Sequence, residues 1–528
     1  MIILFFFPPS PPERRLPEGE EVSALVRKIP SEPNLEVAVR TVDLVMRRNI
    51  RISINTFTAL LQRCGQSKDL SSGKKVHEQL LENGYKENVL LANMLIDMYG
   101  KCGNEAEAQK VFDEISNRNM YSWSGLISAY ANKGMVEKAI ELCIETRERD
   151  NNRPDKLAFI AVLREISEKK DMGLARKAHR EITTCGLASD LTVGNALIDM
   201  YGKCGDLALA NEVLRQLPEQ NAGSWNALIG GYAIQNGREK EVFDIFEHMQ
   251  KQRIEADEDV YVTILQVCGK IKDAERASYF HSHTIGSGYE RDLVVGNALI
   301  KMYAEIENLQ QCFIVFNKMY EHDIVTWNSM ITALVAQGYD NDAIFLYEQM
   351  QEEGLEAPDE VTLANAIRAC GGVFALDEGL ELHHKVISSG FELAVDVANA
   401  LVWFHASCDR VKDARKVFDD ILEKDSVSWN EMVLGYARKA YSHQAFVLFA
   451  EMRKEGIVLE KSTCSALLRR CASMGSITLS WGRRIHASII EFGFNGDALL
   501  GNELVFMYSN CGSNIDSQLT RGRMPELI

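Results

Sequence analysis

Trp123, Trp225, Trp327 and Trp429 stand 102 residues apart at every step. His77, His179, His281 and His383 keep the same step, and His486 follows one residue late. Asn93, Asn195, Asn297 and Asn399 do likewise, again with Asn502 one residue late. Three side chains of unlike chemistry sharing one period mark an internal repeat, and a repeat of this kind stacks copies of one supersecondary element. The near copies NMLIDMYGKCG, from Asn93, and NALIDMYGKCG, from Asn195, are two such copies.

Each block divides into three unequal units of 35, 31 and usually 36 residues. The shortest is plainest at 191–221, LTVGNALIDMYGKCGDLALANEVLRQLPEQN. There Leu197, Ile198 and Tyr201 share one helix face, and Leu207, Ala210, Val213, Leu214 and Leu217 recur at three- and four-residue spacing along a second helix. Between them GKCGD supplies a glycine stop and an aspartate start. The unit is a helical hairpin. One hairpin cannot cover its own apolar face, so neighbours must stack into a solenoid with a continuous core and a long concave surface.

The 528 residues are too many for one compact core, and 46% apolar with 25% charged residues is an ordinary soluble composition. A net charge of −17 excludes a binder that gathers phosphate by summed positive charge. A locally basic groove on an acidic body stays possible, because field is local. Twelve cysteines include no CxxC. Cys64, Cys268, Cys370 and Cys471 share one repeat position, and Cys102, Cys204, Cys408 and Cys511 share another. Equivalent positions in a stack lie far apart, so reduced, buried thiols are expected rather than disulfides. The periodic histidines and tryptophans read as packing residues, and no metal or cofactor is expected. The amino terminus, MIILFFFPPSPPERR, carries an apolar run that stops at Pro8, too short to span a bilayer. It has neither the basic start of a secretory signal nor the Arg- and Ser-rich character of an organelle import peptide. Residues 1–18 are expected to form a disordered leader.

The openings SWNALI, TWNSMI and SWNEMV, the A…F…M…G runs of the second helices and the alternating lengths resemble pentatricopeptide repeats. The closest likeness is to the plant subclass whose P, L and S units follow one another in fixed order. On that resemblance P units fall at 19–53, 120–155, 222–257, 324–359 and 426–460, and L units at 54–88, 156–190, 258–292, 360–394 and 461–497. S units fall at 89–119, 191–221, 293–323 and 395–425, with a partial one at 498–512 and an irregular tail at 513–528. The implied fold is all-α, a right-handed α-solenoid superhelix of about 14–15 stacked helix-turn-helix repeats.

In the resembled family each unit faces one nucleotide of single-stranded RNA, and two side chains select the base: one early in the first helix, the other the last of the unit. Carried over, the pairs are Thr58 with Asn88, Asn93 with Asn119, Ser124 with Asp155, Asn195 with Asn221, and Asn226 with Asp257. Asn297 with Asp323, Asn328 with Asp359, Asn399 with Asp425, and Asn430 with Glu460 continue the series. The resemblance gives Asn with Asp a uracil preference, Asn with Asn a pyrimidine, Ser with Asp a guanine and Thr with Asn an adenine. Glu460 departs from the pattern. Ile160, Val262 and Ala364 hold the selecting position of L units and have no side-chain hydrogen bond to offer, so those units space the RNA. Val294, Val325 and Val427, three residues before a selector, would pack on base faces. Against this stands a plainer role: asparagine is also a good helix N-cap.

Relatives with this architecture often end in E and DYW extensions, the latter a cytidine deaminase whose HxE and CxxC supply a His/Cys/Cys zinc site and a Glu proton shuttle. The one HxE, His179–Arg180–Glu181, has no CxxC to go with it, so the chain is not expected to be an enzyme. The expected function is sequence-selective binding of single-stranded organellar RNA, in chloroplast or mitochondrion. The chain would serve C-to-U editing or other processing by a deaminase or another factor in trans, with no membrane and no small-molecule substrate. The alternative is a protein–protein scaffold that holds a peptide on its concave face.

Overall fold

The computed structural model describes residues 28–48, 50–150, 153–354, 357–494 and 496–523, so the expected leader at 1–18 lies outside the described residues. Two compact units divide the chain, Met1–Ile264 and Leu265–Ile528. In both, the described residues are helical hairpins.

In the first unit the leading helices of successive hairpins are Ile54–Gln66, Val89–Lys101, Met120–Asn132, Lys156–Lys169, Leu191–Cys204 and Ala222–Ala233. Each packs on the next, so they form one continuous layer. The trailing helices Leu70–Glu82, Glu105–Glu114, Val136–Asp150, Met172–Thr184 and Leu207–Gln216 make a second layer, each wedged against its own leading helix and the following one. The second unit repeats the plan with leading helices Leu293–Glu305, Ile324–Ala336, Glu360–Val373, Val395–Ser407, Ser426–Arg438, Lys461–Met474 and Ala498–Asn510. Burial follows the periodicity: Leu197, Ile198, Tyr201, Ala210, Val213 and Leu214 are all buried. Each such aliphatic side chain contributes roughly 1.5–3 kcal/mol on leaving water. The hairpin turn is made where GKCGD predicts it. Gly205 adopts φ 88°, a left-handed conformation, and Asp206 caps the next helix by accepting from the Leu209 amide.

The periodic histidines bind the layers together. His77, His179, His281 and His486 each place Nδ1 2.9 Å from a tyrosine hydroxyl on the next leading helix: Tyr99, Tyr201, Tyr303 and Tyr508. In the remaining block the tyrosine is replaced by His405, whose Nε2 lies 3.1 Å from His383 Nδ1. Trp123, Trp225 and Trp327 are buried, and Trp123, Trp327 and Trp429 meet Phe112, Phe316 and Phe418 edge to face. All twelve cysteines are free. Burial pushes the Cys64 thiol up to about 12, as befits an inert core residue.

One expectation is corrected. The segment from 513 is not irregular: Asn514–Arg523 is a helix packed on Ala498–Asn510. Its signal is faint because the buried positions are hydroxyls, Ser517 and Thr520, while Ile515 is exposed. Ser517 Oγ lies 3.1 Å from Ser509 Oγ, and Arg483 ties the helix down through Asp516 at 2.8 Å. A polar inner face leaves no apolar period to read.

Candidate nucleic-acid interface

The residue that closes a unit in sequence is the N-cap of the next leading helix. Asn88, Asn119, Asp155, Asn221, Asp323, Asp359 and Asp425 all cap in this way, accepting from the backbone amide three residues on. Asp257 does the same for the Val260 amide at 3.1 Å. The capping role therefore falls on the second member of every pair but Asn430 with Glu460. The periodic asparagine sits a full turn inside its helix, where no end remains to cap.

There it reaches across to the cap of its neighbour. Asn93 Nδ2 donates to Asn119 Oδ1 at 3.2 Å, Asn297 Nδ2 to Asp323 Oδ1 at 3.2 Å, and Asn399 Nδ2 to Asp425 Oδ1 at 3.2 Å. Asn328 Nδ2 spans both oxygens of Asp359 at 3.0 and 3.1 Å. Asn195 meets Asn221 through a shared hydroxyl: Ser224 Oγ donates to Asn195 Oδ1 at 2.7 Å and lies 3.1 Å from Asn221 Oδ1. Ser124 accepts from the Asp155 backbone amide at 2.9 Å. Five predicted pairs are thus brought together by side chains alone, and a sixth through backbone.

Of the remaining three, two are not joined, and Asn430 with Glu460 is linked only through backbone, as Ser124 is with Asp155. Thr58 turns its hydroxyl to the Asn55 carbonyl, 2.9 Å away. Asn226 accepts from Thr263 Oγ1 at 3.2 Å, one residue row beyond Asp257. Asn430 spends its amide on backbone: Nδ2 donates to the Ser426 and Val458 carbonyls at 2.8 and 3.2 Å, and Oδ1 accepts from the Glu460 amide at 2.9 Å. The Glu460 side chain makes no cap, its extra methylene carrying the carboxylate past the amides a cap must reach. Of the L-unit positions, Ile160 and Val262 are half-buried and Ala364 is buried.

Sequence reasoning missed the hydroxyls that complete the pairs. Ser122 donates to Asn93 Oδ1 at 2.7 Å and Thr362 to Asn328 Oδ1 at 2.6 Å, as Ser224 does to Asn195. Thr326 and Ser428 instead donate to Asp323 and Asp425, both at 2.8 Å. Their signal was available as Asn/Asp-x-x-Ser/Thr, the spacing of a capping box. Burial presses the Asp323, Asp359 and Asp425 carboxyls upward, but the threonine, serine and asparagine hydrogen bonds outweigh it and hold all three below the usual carboxylate range.

Val294 and Val325 are 46% and 51% exposed, large apolar side chains left in water, and Val427 is half-buried. The same position holds exposed Leu90, Tyr121 and Leu157 in the first unit and Val361 and Leu499 in the second, which sequence reasoning also passed over. Exposed apolar residues at one register, beside polar pairs, are the chemistry of a flat aromatic ligand: faces to the aliphatics, edges to the amides. Cations along the leading helices are mostly engaged at home, Lys101 with Asp97 at 2.8 Å, Lys203 with Asp199 at 2.9 Å and Arg469 with Glu503 at 2.7 Å.

Comparison with known proteins adds to this geometry. Models described as PPR repeat family match 322–371 and 424–473, and one described as pentatricopeptide repeat domain matches 40–102. A model described as pentatricopeptide repeat-containing protein matches 192–319, and PPR repeat matches 92–120 and 121–151. Together they span well over half of the chain. Among relatives from Arabidopsis thaliana, the chloroplastic pentatricopeptide repeat-containing protein At5g55740 is 33% identical, the alignment covering 78% of this chain and 49% of the relative. The mitochondrial At2g03380 is 31% identical over 83% and 63%, and the mitochondrial At3g09040 29% over 86% and 50%. The chain spans about half the length of several curated relatives it matches. Two crystal structures share the fold. The pentatricopeptide repeat protein PPR10 from maize superposes with a TM-score of 0.57 at 16% identity over 96% of this chain and 78% of that one. PPR10 in complex with an 18-nt psaJ RNA element gives 0.56 at 15% over 98% and 85%.

Proposed function

Because this chain belongs to the pentatricopeptide repeat family, we propose that it binds single-stranded RNA of chosen sequence, one base to each pair of side chains described above. The observation that carries the reading is the recurring triad of helix asparagine, neighbouring cap and exposed aliphatic, repeated at unit spacing. Asparagine offers both a donor and an acceptor, so it matches a base edge, and the cap fixes its rotamer before RNA arrives. A related fold solved with RNA supports the same reading.

In the P, L and S frame the preferred target runs, 5′ to 3′, through a pyrimidine at Asn93 and Asn119, guanine at Ser124 and Asp155, pyrimidine at Asn195 and Asn221, then uracils at Asn226, Asn297, Asn328 and Asn399. Thr58 and Asn88 would take an adenine before them. The site of action is an organelle, in keeping with relatives named as chloroplastic and mitochondrial. There the chain positions a transcript for C-to-U editing or other processing by a factor in trans. The repeats bind; they do no chemistry. A peptide-binding scaffold is the second reading, favoured by the net charge of −17. Competition between RNA of the predicted order and a scrambled RNA, at physiological salt, separates the two. Preference for the predicted order supports base reading, and indifference to every RNA leaves the scaffold.

A further inference from the structure

Arg368, Trp403, Glu431 and Thr463 come from four successive leading helices of the second unit and line one cavity of about 160 Å³. That is too small for a drug-sized molecule and is on the scale of a single nucleobase. Its making departs from the repeat. The residue after the selecting position is uncharged at Ala298, Ser329, Asn365 and Ala400, but Glu431, like Glu503 two leading helices on, is a carboxylate. Arg368 Nη1 reaches Glu431 Oε1 at 3.3 Å, passing over the helix between them, where Trp403, its ring also met by Arg438, forms part of the wall.

Two buried polar atoms lining this cavity have no partner. One is Glu431 Oε2; the other is the hydroxyl of Thr463, a residue with no solvent exposure. The Thr463 hydroxyl is orphaned because Glu460, in place of the usual cap, leaves it nothing to bond. Its counterparts Thr362 and Ser428 each donate to a capping aspartate. An unmet buried acceptor and an unmet buried hydroxyl are each costly, so the cavity calls for a ligand with matching groups. Asn430 cannot supply the match, since its amide is committed to backbone.

We propose that this cavity takes one cytosine of a bound single-stranded RNA, with Glu431 in place of Asn430 as the selecting side chain; the inference rests on the RNA reading above. The Glu431 carboxylate only accepts, whereas Thr463 and Arg368 can donate. The complementary edge has one donor and two acceptors, which is cytosine: amino group to Glu431, ring nitrogen and carbonyl to the hydroxyl and guanidinium. Uracil sets a carbonyl against the carboxylate, guanine inverts the order, and adenine lacks the third group.

The experiment selects bound sequences from a randomised single-stranded RNA pool with the full chain and with Glu431→Gln and Thr463→Val. Thermal melting checks each variant for folding. The wild type should enrich cytosine at one position. Glu431→Gln should cut its preference over uracil about tenfold there, because the amide can donate to the uracil carbonyl, and leave the other positions alone. Thr463→Val should weaken the same position and decides the matter if Glu431→Gln does not fold. RNA binding with no cytosine position, or with one that both variants leave intact, overturns this proposal and spares the RNA reading. Failure to enrich any sequence overturns both.

Discussion

Asn328 is the most firmly held of the asparagines paired with a cap, since its amide nitrogen faces both oxygens of Asp359 and its oxygen accepts from Thr362. Asn328→Thr shortens the reach and leaves a hydroxyl, so base preference at that one position should move from pyrimidine toward purine. Equal loss for all four bases in a binding assay would assign the residue to packing alone. His405 carries a second prediction. Burial first, and His383 beside it, lower its pKa to about 4, against an ordinary value of 6.5. A folded-state pKa below the unfolded one means stability is fully present above pH 6.5 and is lost as pH falls toward 4. His405→Tyr, the residue found in the other blocks, should flatten the part of the melting-temperature decline that this group causes between those values. An unchanged slope would show that His405 does not couple to folding. At this scale the positions of the periodic asparagines were legible from period alone, their partners came from the family resemblance, and the capping role, weighed for the asparagine, fell to the closing residue. The fate of Asn430 was not, because nothing in its type says that Ser426, Val458 and Glu460 will take its hydrogen bonds.

Where glycines face one another, helices along the row approach closely. Gly202 on Leu191–Cys204 faces Gly231 on Ala222–Ala233 so closely that an added Cβ would stand 2.7 Å from the Gly231 Cα. Gly202→Ala should cost about 1–3 kcal/mol by overpacking, more than the roughly 1 kcal/mol that alanine gains in helix propensity. Gly230→Ala is the control on the facing helix, Ala222–Ala233, for a Cβ there meets nothing within 4 Å. It should raise stability by up to about 1 kcal/mol. Urea unfolding measures both, and a Gly202→Ala variant as stable as the wild type would mean the two helices can slide apart freely. The hairpins themselves were plain in the sequence wherever aliphatic residues kept a helical period. The helix Asn514–Arg523 was not, since serine and threonine fill its inner face and carry no such mark.

Across the whole molecule the acidic balance sets how RNA can be held. With a net charge of −17 and many cations paired to the chain's own carboxylates, little counterion release is on offer. Affinity for matched and scrambled RNA should fall together as salt rises from about 50 to about 200 mM, leaving their ratio unchanged, because phosphate contacts carry the salt dependence and base contacts do not. A ratio that collapses with salt would mean that charge, not base edges, makes the choice. The solenoid class was readable from a 102-residue step, whereas the coupling of periodic asparagines such as Asn93 and Asn297 to the cap of the following unit needed coordinates. That coupling has a practical side. Asp323 or Asp359 ends one stretch of sequence yet starts the next helix in space, so a single repeat cut out at its sequence borders loses the fold that holds its own closing residue. Anyone grafting reading modules between such chains must carry the opening turn of the downstream neighbour, or the transplanted letter arrives without its anchor.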